Sequence, residues 1–357
     1  MHRARGWLIG GLVVVFAACG PAPRTPEDVR AELLRKLPAT LDDRAGWARD
    51  IQAALHAMDI EPSSSNLCAV MAVVEQESGY KADPTVPGLS KIARTEIQRR
   101  ADRLHLPDFV VAAALGVRSP DGRTYGARID ALRTEQELSA LFEEMANRVP
   151  MGRRLLDGFN PIRTGGPMQV RIGFAERHAR GYPYPLDGSI RHEVFSRRGG
   201  LYFGIKHLLD YPANYPQLVY RFADFNAGWY ASRNAAFQRA VRLASGQPVD
   251  FDGDLLTPGA AMDAPGDTER ALRSIGVVLG MDDAAIRAAL DKQRAHAFED
   301  TALYRDVFML AERRAGGPLA RARVPDIALR SPKITRKLTT AWFADRVNQR
   351  WKRCMAR

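Results

Sequence analysis

The chain has 357 residues, 46% of them hydrophobic and 26% charged, which supplies a substantial core and excludes disorder by composition. Its length suits one large domain or two smaller ones. The formal net charge is +11, but basic residues are spread along the chain with no RNA-binding signature, zinc-finger spacing or long basic block. Nucleic acid is therefore not an expected partner, whereas a diffuse positive field suits anionic cell-wall polymers or membrane surfaces.

Residues 1–18 carry a targeting pattern: Arg3 and Arg5, an apolar run from Trp7 to Ala18, then Cys19. The run is short for a membrane span and suits a secretory leader. Its "FAAC" ending resembles the bacterial lipobox, so Cys19 is the expected lipidation site, and the following Gly20 suits the periplasmic face of the outer membrane. An ordinary cleaved leader with an incidental cysteine is the alternative. Pro-rich residues 19–30 read as a tether, and 31–60 as N-terminal helices with Trp47, Ile51, Leu55 and Met58 on one face.

The next stretch, "SSSNLCAVMAVVEQESGY", reads as a helix beginning at Ser63–Ser65 and stopped by Gly79. Leu67, Val70, Met71 and Val74 form a stripe that Glu77 and Ser78 extend by one turn, with Glu75 and Gln76 pointing elsewhere. Taken locally, Glu77 is a solvated helix end. Residues 81–164 are too many for a structureless loop and read as a helical insertion. Helices follow along "GGLYFGIKHLLDY", "PQLVYRFADF" and "SRNAAFQRAVRLAS". The Gly-, Pro- and Asp-rich stretch 246–267 is the expected linker or loop. Residues 268–357 read as a C-terminal helical region, ending in a helix with Ile334, Leu338, Trp342 and Trp351 on its apolar side. The fold expected is mostly α. Cys68 and Cys354 either form a disulfide or sit apart, one in a core and one in a tail.

Three separated pieces carry chemistry: "ESGY" (77–80), "GGPMQV" (165–170) and "FADFNAG" (222–228). In this order they resemble the lysozyme-like lytic transglycosylases, over roughly residues 60–245. That family ends its catalytic helix in Glu-Ser, lines the cleft with Gly-Leu-Met-Gln, and closes it with Ala-Tyr-Asn-Ala-Gly. "EDTALYRDV", with Tyr304, is similar to a further Glu-Thr-x-x-Tyr element. Together with "NPIRTGGPMQ" the pieces also resemble an uncharacterised group of proteobacterial lipoproteins.

The resemblance implies a lysozyme-like helical catalytic domain at 61–245 that cleaves peptidoglycan glycan strands between N-acetylmuramic acid and N-acetylglucosamine, leaving a 1,6-anhydro end. Glu77 would be acid and base, because desolvation and the negative helix end both keep a carboxyl protonated. Ser78 would support it, Gln169 and Met168 would bind and underlie the sugar chain, Asn226 would orient substrate or tie the cleft wall, and Tyr304 would face the substrate. Pro167, Phe225 and the insertion depart from the family pattern. They leave open an inactive peptidoglycan-binding scaffold, and Asp224 or Glu193 as second carboxylate would make a hydrolytic muramidase. The ordinary alternatives are a turn at 165–167, a core Met168 and a helix stop at "NAG". No cofactor or metal is expected: the histidines are scattered, and "DFDGDLLTPGAA" has glycine and Ala261 where a calcium loop needs other residues. The sequence points to no protein partner beyond the membrane anchor at Cys19.

Overall fold

The computed structural model describes residues 24–148, 160–329 and 338–357. The leader, Cys19, Ile334 and the first five residues of the expected tether, 19–23, lie outside them. The protein is mostly α. Two short antiparallel hairpins are the strands it has among the described residues. They are β1 (Thr164–Gly165) with β2 (Val170–Arg171), and β3 (Ala328–Leu329) with β4 (Leu338–Thr339).

Helix α1 (Pro26–Lys36) begins inside the segment expected to be a tether. Thr25 accepts from the Asp28 amide and Asp28 bonds back to Thr25, a reciprocal cap with Pro26 at the first helical position. Helix α2 (Arg44–Ala57) follows and packs on α1. Helix α3 (Ser64–Glu77) starts at Ser63, whose hydroxyl accepts the Asn66 amide. Its apolar surface is no stripe: all eight residues from Leu67 to Val74 are buried. A helix buried on every side is a central one.

Through residue 148 the expected insertion is largely helical, as α4 (Leu89–Arg103), α5 (Asp108–Gly116), α6 (Tyr125–Asp130) and α7 (Glu135–Arg148); its residues 149–159 lie outside the described ones. Then come α8 (Ile172–Arg177), α9 (Ile190–Phe195), α10 (Arg197–Leu209), α11 (Leu218–Ala227) and α12 (Ala231–Ser245). The remaining helices are α13 (Asp267–Arg273), α14 (Gly276–Leu279), α15 (Asp283–Leu290), α16 (Ala302–Ala315) and α17 (Thr340–Met355). Between α15 and α16 the chain is not continuously helical: two 3-10 turns (Asp291–Arg294 and His296–Phe298) intervene before Thr301 caps α16.

Apolar packing divides the chain differently from the expected boundary at 246–267. One core holds α1 to α3, parts of the insertion, the first hairpin, α10, α11 and, returning from the far end of the chain, α17. The other holds α12 together with residues 249–311. Helix α12 therefore packs with the chain on its C-terminal side. The 246–267 stretch is packed rather than free, because Gln238 of α12 bonds Asp252, the Asp254 carbonyl and the Gly253 amide. At the junction Arg233 is 1% exposed. Its guanidinium lies 4.2 Å from the Tyr230 ring centroid and donates to the carbonyls of Gln293 and Ala295. Those bonds supply the partners that a buried charge requires.

Helix α17 starts at Thr340, later than the apolar spacing suggested; Leu338 precedes it, and Phe343, Ala344 and Val347 form its buried side. It packs against α3 and α11. Cys354 is disulfide-bonded to Cys68 in the middle of α3. Trp351 donates to the Ser65 carbonyl, and Glu75 pairs with Arg350 and Arg353. Glu75 thus faces the last helix. Among the described residues no helix is long and apolar enough to cross a membrane.

Removing the cross-link by Cys68→Ala with Cys354→Ala should lower unfolding stability by about 2–4 kcal/mol. Denaturant titration with and without reductant checks this: reductant should shift the parent protein by a similar amount and leave the double variant unmoved.

Candidate functional site

Glu77 is the last residue of α3 and is half-buried. The chain reverses directly after it, through Gly79 at φ +57° and Tyr80 at φ +64°. The reversal is held because Tyr80 is buried, donates to the Met71 carbonyl at 3.2 Å, and meets Trp47 edge-on at 5.5 Å. Burial pushes the Tyr80 hydroxyl far above its ordinary pKa, so it stays protonated and keeps donating. Ser78 turns its hydroxyl back to the Val74 carbonyl at 3.1 Å. It stabilises the helix end on which Glu77 sits.

The segment 165–170 is a hairpin turn seated on α10. Gly166 is at φ +73° and Gln169 at φ +48°. Pro167 lies against Gly200 and Met168 against Gly204: a Cβ at Gly204 would stand 2.4 Å from the Met168 Sδ. Met168 is fully buried, a core residue beneath the turn. Gln169 is half-buried, with its amide on the Gly166 carbonyl and its carbonyl accepting from Thr164, both at 3.3 Å.

Asn226 ends α11, and Gly228 at φ +112° turns the chain into α12. The Asn226 carbonyl accepts from the Thr340 hydroxyl at 2.8 Å, tying α11 to the start of α17. Val74, Met168 and Phe222 all belong to the first core, so the elements bearing the three motifs share one packing unit. Tyr304 does not. It lies in the second core with its ring stacked on Phe237 at 5.5 Å. Thr301 accepts the Tyr304 amide, so the Thr-x-x-Tyr spacing here serves a helix cap.

Neither proposed second carboxylate is open. Asp224 is fully buried and accepts from the Tyr211 and Tyr215 hydroxyls and the amides of Tyr230 and Ser232. Its burial raises the pKa, and the bonds from Tyr215, Ser232 and Tyr211 oppose that rise. Glu193 is 1% exposed. Burial alone would raise its pKa too, but Arg198, Tyr182 and the Asp187 amide outweigh this and hold it at about 2. Both carboxylates fasten loops.

A cluster that sequence reasoning missed links these pieces. His207 of α10 stands among Phe174 (4.6 Å), Phe225 (5.1 Å) and Trp229 (6.1 Å). His178 stacks on Phe174 at 4.1 Å. Burial, with Arg171 and His178 nearby, lowers the His207 pKa to about 3, so the ring is neutral. Its Nε2 bonds the Phe225 carbonyl at 3.3 Å, and its Nδ1 is buried without a partner among the described residues. The only available signal was the aromatic content of "FAERH", "IKHLLDY" and "FNAGWY". Their mutual distances are tertiary. Among the described residues no group of three His, Cys, Asp or Glu side chains is placed to hold a metal ion.

Glu193 has a folded pKa below the unfolded value of about 4.3. Its stabilising contribution is therefore full above that value and disappears as pH falls through about 2. Glu193→Gln should cost about 1–3 kcal/mol at neutral pH and flatten the acid limb of a stability-against-pH curve measured by urea unfolding.

Comparison with known proteins adds a family but no activity. No solved structure matches the chain. A curated protein of Escherichia coli (strain K12), named "Uncharacterized protein YaiW", is 52% identical over 350 residues, covering 96% of each chain. Residues 40–357 match the family described as "Protein of unknown function (DUF1615)", and the chain belongs to that family.

Proposed function

We propose that the protein is a lytic transglycosylase of lysozyme-like type, anchored by lipid at Cys19 to the periplasmic face of the outer membrane and acting on peptidoglycan glycan strands. One observation carries this reading. The three motif segments sit on elements of one core, and a non-glycine residue in the left-handed region lies within the first two, Tyr80 and Gln169, and two residues beyond the third, Tyr230. Among the described residues only six non-glycine positions have positive φ. Backbone strain of this kind collects at functional sites.

In the proposed reaction Glu77 donates its proton to the oxygen between N-acetylmuramic acid and N-acetylglucosamine as the C1–O bond breaks. The resulting carboxylate then takes the proton of the muramic C6 hydroxyl. That oxygen attacks C1 and closes the anhydro ring, which returns Glu77 to its acid form. One carboxyl does both tasks, and the reading needs no second acid. This agrees with Asp224 and Glu193 being engaged in structural bonds. A non-catalytic wall binder is the second reading. It is favoured by the internal bonds that already occupy Ser78, Gln169 and Asn226.

Glu77→Gln should lower release of anhydro-ended muropeptides from purified sacculi by about 10²–10⁴-fold, with the fold intact. Glu75→Gln should keep turnover while loosening α17 by no more than about 1 kcal/mol, because its ion pairs are partly exposed. Mass analysis of the digests decides. An active Glu77→Gln protein, or parent protein that pellets with sacculi without cutting them, would defeat the enzymatic reading.

A further inference from the structure

The turn that carries Asn226 is closed by one residue. Asp224 accepts the Gly228 amide on its backbone carbonyl at 2.6 Å, and its carboxylate accepts the amides of Tyr230 at 3.1 Å and Ser232 at 2.6 Å. Alternate amides along 228–232 therefore bond to Asp224. Phe225 to Trp229 are half-buried, while Asp224 and Tyr230 on either side are buried. The middle of the turn reaches the surface, and both of its ends are fixed inside.

Two of these amides stand at the start of α12, where backbone donors have no partner within the helix. A side chain at the capping position usually takes such donors. Here that residue is Tyr230, which sits at φ +66° and whose side chain makes no capping bond. The carboxylate on the preceding helix takes over, and its charge suits the positive end of α12. A fully buried carboxylate is costly unless donors surround it. Tyr211 at 3.0 Å and Tyr215 at 2.6 Å supply two more from the loop after α10.

The far end of the turn is held by the second core. Tyr230 lies beneath the Arg233 guanidinium, and Asn234 donates to the carbonyls of Gly253 and Gln293. We propose that Asp224 is a positioning residue: its carboxylate fixes where α12 begins and thereby sets the shape of the turn that presents Asn226. The role of Asn226 rests on the lytic transglycosylase reading, whereas the clamp itself does not. Asp224 touches no substrate and moves no proton; it holds the backbone around its neighbour two residues on. The second core then has a task in the reaction, because α12 packs in it.

Asp224→Asn tests this, with Tyr215→Phe as a milder variant that keeps the carboxylate and removes one donor. The Tyr230 and Ser232 amides bond different carboxylate oxygens, and an Asn side chain offers only one. Hydrogen exchange read by mass spectrometry should speed up in peptides spanning 225–234, by at least roughly tenfold for Asp224→Asn and threefold for Tyr215→Phe. On soluble glycan strands kcat for anhydro-end release should fall by about 10–10²-fold in Asp224→Asn, with KM within about twofold. Thr268→Val removes a buried acceptor for Gln238 further along α12 and serves as comparator. It should lower the melting temperature and leave both readouts unchanged. Unchanged exchange in both variants, or in Tyr215→Phe where Asp224→Asn does not fold, overturns the clamp. A Thr268→Val protein whose kcat falls as far at a matched melting shift reveals a general loss of stability, which overturns the positioning role. Parent protein that cuts no strand defeats the enzymatic reading and with it the role of Asn226, while exchange still decides the clamp.

Discussion

Everything in the first core depends on α3 being apolar on all its faces. Eight consecutive buried residues, Leu67 to Val74, leave no side of the helix for water. Each face has to be covered by another element, at a gain of about 1.5–3 kcal/mol for each large side chain removed from solvent. No neighbouring stretch of chain supplies enough surface. Helix α10 meets one side, and α17, more than 260 residues further along, meets another. The disulfide, the Trp351 bond and the Glu75 ion pairs are all consequences of that docking. They fix the register of a contact that apolar burial already requires.

A helix clamped in this way makes a rigid platform at its C-terminal end. Glu77 emerges where the packing stops, and the Gly79–Tyr80 reversal cannot relax because Tyr80 is pinned by Trp47 and the Met71 carbonyl. The hairpin turn at 165–170 is constrained differently, by missing Cβ atoms on α10 that let Pro167 and Met168 approach its backbone. The Asn226 turn is held by Thr340. Three unrelated devices therefore immobilise three turns around one core. Such precision is expensive to maintain for loops that only connect helices.

Much of this was legible in the residues, for physical reasons. The Ser63 cap, the Gly79 stop and the helical period of 67–78 are local properties, and the structure has them at those positions. The apolar stripe was an underestimate: Cys68, Ala69, Ala72 and Val73 are buried too, and small residues on a second face do not reveal what covers them. The break at 291–301 was hidden because "DKQRAHAFEDT" contains neither Gly nor Pro; tertiary bonds from Arg233 to the Gln293 and Ala295 carbonyls hold that kink. Placement of α12 with the second core was equally invisible, since an amphipathic helix does not state which core it serves. Tyr304 shows the converse error, in which a short pattern fits a distant motif and a local helix cap equally well.

The returning α17 also sets an order of assembly. During synthesis the helix that shields α3 is made more than 260 residues after it. Until then the side of α3 that α17 covers, and a reduced Cys68, have no lasting partner. Domains whose early segments close on themselves can fold as they emerge; this core cannot. Its closure waits for α17. Loss of even the final helix through a premature stop would strip the cover from the centre of the protein rather than trim its edge.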